Sequence, residues 1–226
     1  AASIDVPSLP LSAVAFGGLV YGFSGLGEGE AAAVVPPLAA IGVGTAALVL
    51  FVWRQLRLQR RDRALLDLRV FASTQFSVSI GLVVISFMAL FGVLILLPVY
   101  MQNVLGHDTL VTGLTLLPGG LAMGLLAPFV GRLYDRVGPR PLVIPGAAVV
   151  SVVLWSMTLL DAHTPVGFVV AAHVTLSLGL GLMFTPLLTG ALGSLQPRLY
   201  SHGSAVVGTV QQVAGAAGTA TFVAIM

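Results

Sequence analysis

The sequence predicts an all-α integral membrane protein, and three observations carry this prediction. Hydrophobic residues make up 57% of the 226 residues and charged residues only 8%, whereas about a quarter of a water-soluble domain is charged. Seven apolar stretches are each about long enough to cross a bilayer, which takes about 20 residues at 1.5 Å per residue. The chain has ten arginines and no lysine, and the arginines fall only in alternate connections between these stretches.

Residues 1–53 are predicted to form a pair of spans, at about 11–27 and 31–53, joined by a short turn. The first span is rich in Gly and Ser, so an interfacial or re-entrant hairpin is the alternative. A basic segment, 54–73, follows and carries six of the ten arginines. Within it, the stretch LLDLRVF is predicted to lie along the membrane interface.

Residues 74–226 are predicted to contain five further spans. Asp108 is placed to cap one of them, and Pro165 stands where the first turn of another favours proline. Small residues recur at helix-face spacing within the spans, which indicates close packing between helices. Because the chain starts with Ala and stops inside an apolar run, we expect an internal piece of a longer protein. The five spans are at about 74–101, 109–130, 142–160, 166–195 and 205–226.

The arginine distribution predicts the orientation, because connections on the cytoplasmic side retain Lys and Arg. The connections near 24–30, 102–108 and 161–165 contain no arginine and are predicted to lie outside. Arginine without lysine is typical of GC-rich bacterial genomes, so the predicted location is a bacterial cytoplasmic membrane. The segments predicted to be cytoplasmic are 1–10, 54–73, 131–141 and 196–204.

The connection GRLYDRVGPRP, residues 131–141, combines features of a conformational latch. Gly131 would permit close approach where one helix ends, and Gly138 would supply a permissive turn. Asp135 can face the positive N-terminus of the next helix and pair with an arginine. The alternative is a plain basic loop with a solvated ion pair. The candidate latch residues are Gly131, Asp135, Arg136, Gly138 and Arg140.

Titratable side chains are almost absent from the predicted spans. No Asp or Glu lies within them, and His173 is the one titratable group predicted to sit in the hydrocarbon region. An intramembrane histidine suits a proton relay, but a neutral, hydrogen-bonded packing histidine is the favoured alternative. The candidate cavity or substrate residues are Gln102, Asn103, His173, Gln211 and Gln212.

Several function classes are not predicted. Without cysteine there is no disulfide framework and no cysteine metal site. The sequence contains no phosphate-binding GxxxxGK[ST] loop and no HExxH or GxSxG motif. The pairs His107–Asp108 and Asp161–His163 look like caps and turns. We therefore predict neither an enzyme nor a metal or cofactor, and arginines in short loops do not indicate nucleic-acid binding.

The 131–141 connection resembles the cytoplasmic loop signature of the major facilitator superfamily, Gly-x3-Asp-Arg-x-Gly-Arg, with Pro139 inserted before the arginine. The block LPVYMQNVLGHDTLVTGLTLLPGGLAMGLLAPFVGRLYDR resembles the fourteen-span drug:proton antiporters of that superfamily. The block SHGSAVVGTVQQVAGAAGTA resembles their lincomycin-resistance-like branch. The resemblance covers essentially the whole chain.

This resemblance implies that 1–53 is the central two-helix insert of a fourteen-helix transporter. Residues 74–226 would be five helices of its C-terminal half, without the last helix and the N-terminal half. The implied activity is proton-coupled efflux of amphipathic, drug-like compounds by alternating access. The implied energy source is a proton gradient rather than a cofactor.

The implied partners are protons, the substrate, the bilayer and the N-terminal half, which would also hold the proton-coupling acid. Export of an endogenous metabolite, or a non-transporting sensor or scaffold, are the alternatives.

Overall fold

The computed structural model describes residues 5, 7–28, 35–61 and 64–225. These residues form seven α-helices, and three short 3-10 helices lie in the connections, which confirms the predicted all-α fold. The α-helices are α1 (Ser8–Glu28), α2 (Pro37–Leu58), α3 (Thr74–Asn103), α4 (Thr109–Val137), α5 (Arg140–Met157), α6 (Val166–Gly193) and α7 (Tyr200–Ile225). The 3-10 helices are Gln59–Arg61, Leu68–Ala72 and Pro197–Leu199.

Six helices of the described chain, α1 to α6, are long and apolar enough to cross a membrane. Helix α7 is also long, at 26 residues, but it is not one of the six. It carries His202, Gln211 and Gln212, which lower its mean hydropathy. Membrane crossing by α7 therefore stays a prediction.

Proline sets one helix start that the sequence analysis placed too early. Helix α2 begins at Pro37 rather than near 31, because Pro36 has extended backbone angles and Pro37 occupies the first helical position, where no N–H is needed. Residues 31–34 of the predicted span lie outside the described residues. Helix α3 continues through Pro98 to Asn103, two residues beyond the predicted end.

Several helices differ from the predicted spans at the ends that carry arginine. Helix α2 continues to Leu58 and α4 to Val137, five and seven residues beyond the apolar stretches. Helix α7 begins at Tyr200, five residues before the predicted start. The reason is that hydropathy limits what lies in lipid, whereas helical hydrogen bonding continues into the polar flank. By contrast, α5 ends at Met157, three residues early.

Two compact units divide the chain, and the division falls inside α3 and α6. The first unit comprises Ala1–Gly92 and Ala191–Met226. Within it, α1 and α2 are antiparallel and their backbones touch at two glycines. A Cβ atom on Gly18 would lie 3.0 Å from Cα of Gly44, and one on Gly44 would lie 2.8 Å from the backbone nitrogen of Leu19. Only glycine allows this separation.

Helices α3 and α7 run parallel within the same unit. Phe76 lies against Gly203 near their starts, and a Cβ atom on Gly218 would lie 2.6 Å from the carbonyl oxygen of Met88 further along. Near their starts, the hydroxyls of Ser73 and Ser194 are 2.9 Å apart. This hydrogen bond joins two connections that the arginine pattern places on one side.

The second unit is Val93–Gly190. Within it, Gly146 of α5 and Gly179 of α6 meet at an antiparallel crossing, where a Cβ atom on Gly146 would lie 2.9 Å from the Gly179 carbonyl oxygen. Helices α4 and α6 are parallel. The hydroxyl of Tyr100 donates to the carbonyl oxygen of Asp161 at 2.6 Å, and this bond joins the last turns of α3 to the arginine-free connection before α6.

Candidate functional site

The α4–α5 connection is much tighter than the predicted loop of eleven residues. Helix α4 ends at Val137 and α5 starts at Arg140, so two residues connect them. Gly138 has φ +77° and ψ −174°, and its N–H donates to the Tyr134 carbonyl at 2.9 Å. That region of backbone space is essentially reserved for glycine, and Gly138 is the residue at which the sequence analysis placed a permissive turn.

The other candidate latch residues lie on the flanks of this turn. Asp135, Arg136 and Arg140 are exposed. Within the described part of the chain, Asp135 makes no hydrogen bond or ion pair, so its role as a latch stays a prediction. The expectation that a helix ends at Gly131 is wrong, because α4 runs on for six residues. A Cβ atom on Gly131 would meet no described atom within 4 Å.

The polar candidates of the cavity fall into separate units. Gln102 and Asn103 are exposed at the end of α3, in the second unit, and both follow Met101, which is fully buried. Gln211 is half-buried and Gln212 exposed on α7, in the first unit. Their role in binding a substrate stays a prediction.

His173 is buried in the second unit, with 3% of its surface exposed. It lies on α6 and packs against Gly119 of α4. A Cβ atom on Gly119 would overlap Cδ2 of the imidazole and would lie 2.6 Å from Nε2. The Ser177 hydroxyl borders the same glycine. The contact therefore depends on the absence of a side chain at position 119.

The sequence analysis missed a partly buried polar network at the ends of α1 and α2. Asp5 accepts hydrogen bonds from Nε and Nη2 of Arg54 at 2.8 and 2.7 Å, and from the Ser8 hydroxyl. Gln55 donates to the Ser8 hydroxyl at 2.8 Å and accepts from the Leu66 N–H at 3.1 Å. The guanidinium and the Ser8 hydroxyl hold the pKa of Asp5 at about 2.

A second polar cluster holds the connection between α2 and α3. Arg69 donates to both carboxylate oxygens of Asp67, with Nη2 2.6 Å from Oδ2. Burial alone would raise the pKa of Asp67, but the hydrogen bonds from Arg69 outweigh it and lower that pKa, helped by His202. Asp67, Arg69, Arg198 and His202 border a cavity of about 230 Å³.

An apolar cavity of about 320 Å³ in the first unit was also missed. It lies among α1, α2, α3 and α7. Its one polar lining group is the Thr209 hydroxyl, which donates to the Ala205 carbonyl at 2.9 Å. The side chains that line the cavity therefore offer a ligand no free hydrogen-bond donor, and the Thr209 hydroxyl can still accept a hydrogen bond. Its lining includes Phe16, Phe23, Leu48, Met88, Val213 and Ala217.

The described residues contain no group of three or more His, Asp or Glu side chains able to hold a metal ion.

In the turn before α6, the His163 N–H donates to Asp161 at 2.8 Å. This hydrogen bond, together with one from the Thr164 hydroxyl, lowers the pKa of Asp161. The pair Asp161–His163 therefore forms a turn, as predicted.

Comparison with known proteins extends these observations to function. A family described as Major Facilitator Superfamily matches residues 9–219. Lincomycin resistance protein LmrB of Listeria monocytogenes is 45% identical over 224 residues, which are 99% of this chain and 46% of that protein. LmrB of Bacillus subtilis is 38% identical over 224 residues, with the same shares. Multidrug resistance protein Stp of Mycobacterium tuberculosis is 27% identical over 224 residues, covering 98% of this chain and 40% of Stp.

The chain thus spans about half the length of these relatives. No solved structure matches it. The family match covers most of the chain, including the α4–α5 connection. The chain belongs to the major facilitator superfamily of membrane transporters.

Proposed function

We propose that this chain is part of a proton-coupled exporter of drug-like compounds in the cytoplasmic membrane of a bacterium. One observation carries the proposal: the 45% identity with a lincomycin resistance protein runs through 99% of the chain. Identity of that extent covers helices and connections alike. It therefore favours the same class of substrate rather than a shared fold alone.

The helix arrangement within each unit supports alternating access. Transporters of this kind move repeated helix groups against each other around a site near the bilayer midplane. The antiparallel pairs α1–α2 and α5–α6 contact through glycines, and such small-residue contacts associate helices in lipid without polar groups. Each pair can therefore move as one piece.

Proton coupling is proposed to need an acid supplied by the N-terminal half. In the segment 74–193, the acidic residues Asp108, Asp135 and Asp161 lie at helix ends or in a turn. A carboxylate that couples proton and substrate movement usually lies inside the membrane. Protons that enter down their gradient would supply the free energy for export of the compound, without a further cofactor.

The test uses inverted membrane vesicles from cells that express the intact protein containing this chain. A respiratory substrate would generate the proton gradient, reported by a pH-sensitive dye. Lincosamides, macrolides and cationic dyes would then be added one at a time. We expect at least one class to dissipate the gradient in these vesicles and not in vesicles from cells with the empty vector.

An uncoupler added at the end would confirm that the gradient was present throughout. If no compound dissipates the gradient although the protein is folded and inserted, drug export is refuted. Export of an endogenous metabolite, or a non-transporting role, would then replace it.

A further inference from the structure

His173 is the only titratable side chain of α6. It lies seven residues after the start of α6, or about 10 Å along the helix axis. His173 is nearer to the start of α6, which follows the arginine-free connection 161–165. The residue has 3% of its surface exposed, and its ring rests on α4 at Gly119.

Hydrogen bonding satisfies the imidazole on one side only. The backbone of Leu116, one turn before Gly119, interacts with the ring. Atom Nδ1 is buried and has no hydrogen-bond partner in the described chain, which includes every residue of this unit. Neutral histidine has one donor and one acceptor nitrogen, whereas the protonated ring has two donors. A proton added to Nδ1 would therefore create an N–H with no acceptor.

No charged group compensates for this. Helix α6 has no other titratable side chain, and the charged residues of α4 and α5 lie at their other ends. Tyr100 is engaged with the Asp161 carbonyl. A buried charge without a partner is strongly disfavoured. The distant charged residues are Arg132, Asp135 and Arg136 of α4 and Arg140 of α5, and those of the outer connections are His107, Asp108, Asp161 and His163.

We propose that His173 is a proton-binding site that opens the contact between α4 and α6. The closed contact holds the neutral ring against Gly119. When the two helices separate at this level, water reaches Nδ1, takes the place of the missing acceptor and delivers the proton. The N–H bond forms at Nδ1 while an O–H bond of a hydronium ion on the arginine-free side breaks, and that ion is left as water. The switch acts on helix packing, independently of which compound is transported.

Disulfide formation measures this opening directly, because the chain has no cysteine of its own. Met123 of α4 and Gly181 of α6 face each other on the same contact, with a Cβ atom on Gly181 3.9 Å from Cα of Met123. That separation suits a disulfide. The M123C/G181C pair would be introduced into the intact protein, in a background free of other cysteines, and oxidised in membranes between about pH 8 and about pH 5.5.

A second pair, V150C/G179C, corrects for the pH dependence of thiol oxidation itself. A Cβ atom on Gly179 would lie 3.0 Å from Cγ2 of Val150 in the α5–α6 contact, which contains no histidine. We expect the ratio of the α4–α6 rate to the α5–α6 rate to fall several-fold at acidic pH. In H173Q, which cannot take up a proton, the ratio should be independent of pH.

Two results would overturn the proposal. A pH-independent ratio in the protein with His173 would do so without any variant at that position. The same fall in H173Q would assign the opening to another group. Neither result depends on drug transport, so failure of the switch and failure of the proposed function are separate outcomes.

Discussion

The carboxylate of Asp5, three residues before α1, is held by two nitrogens of Arg54, in the last turns of α2. A bidentate arginine–carboxylate pair fixes both position and orientation. It joins the ends of two antiparallel helices, on the side that the arginine pattern assigns to the cytoplasm. Ser8 and Gln55 extend the same network into the buried space between the helices.

The Asp5–Arg54 pair predicts a specific response to acid. The pKa of Asp5 is about 2, below the ordinary value of about 4. Because the folded state lowers this pKa, the pair contributes its full stabilisation above about pH 4 and loses it as the pH falls towards 2. We expect the thermal unfolding midpoint of D5N to fall less than that of the parent protein over this range.

The double variant D5N/R54M checks the assignment. It should show the same pH profile as D5N, since the pair is already broken. A D5N profile that follows the parent protein at every pH would show that Asp5 and Arg54 do not interact in the folded protein. Detergent-solubilised protein and a dye-based unfolding measurement suffice for all three profiles.

Gln55 predicts a larger change in stability. Replacing it with Leu removes Gln55 as a partner of the Ser8 hydroxyl, which is fully buried, and of the N–H of Leu66, which is half-buried. Such a loss costs about 1–3 kcal/mol, which should lower the unfolding midpoint measurably. Q59L is the matched control, because Oε1 of Gln59 has no hydrogen-bond partner among the described residues. Equal destabilisation by both variants would contradict the network.

A side chain at position 119 is expected to clash with His173, and truncation of His173 should relieve that clash. Alanine at 119 would overlap the His173 ring, and overpacking of this kind costs about 1–3 kcal/mol. G120A, one residue on, meets open space and should be neutral or slightly stabilising. Truncating the ring in G119A/H173A should recover much of the loss. Unfolding midpoints of the parent protein, G119A, H173A and G119A/H173A form a double-mutant cycle, and additive effects would rule out the contact.

Gly138 predicts a backbone effect within the signature connection. With φ +77° and ψ −174°, alanine there should cost about 1–3 kcal/mol. G131A, in the last two turns of α4 with no atom within 4 Å, should leave stability unchanged or raise it slightly, since alanine favours helix. The comparison uses unfolding midpoints, and a neutral G138A would show that the turn adopts another conformation.

Asp135 predicts a loss of transport without a loss of fold. If its charge latches the α4–α5 connection, D135N should reduce drug-dependent dissipation of the proton gradient at least tenfold while expression and unfolding stay normal. D108N is the matched control at the other end of α4, because asparagine can still cap Val111 as Asp108 does at 2.7 Å. Normal transport by D135N would remove the latch from the mechanism.

Much of the fold could be predicted because the thickness of the bilayer sets the length of each span and the arginines mark the cytoplasmic side. Apolar length located every helix, and the Asp108 cap was readable from its place before α4. Helix ends were less accessible: α4 carries Arg132 and Arg136 within its last turns, since a helix leaves the hydrocarbon without having to stop. Hydropathy alone therefore ended it seven residues early.

The site was readable only where its residues are contiguous in sequence. Gly138 was found because a turn needs a local residue. Ser8 and Gln55 are 47 positions apart, and Gln55 stood in a basic segment that looked like a plain linker. The fit of His173 against Gly119 likewise arises from the crossing of α4 and α6. No pattern within either helix specifies that crossing.

Hydrogen bonds hold the described part of the basic connection between α2 and α3 at three places. Leu66 is held by Gln55, Asp67 and Arg69 hold each other, and Ser73 meets Ser194 at 2.9 Å. Insertions are tolerated where backbone is exposed and free of such bonds. A reporter domain or protease site inserted into 66–73 would therefore break the hydrogen bonds that hold this connection in place beside the first helix pair. The turn at 161–165, which is bonded mainly to itself, is the safer place for a tag.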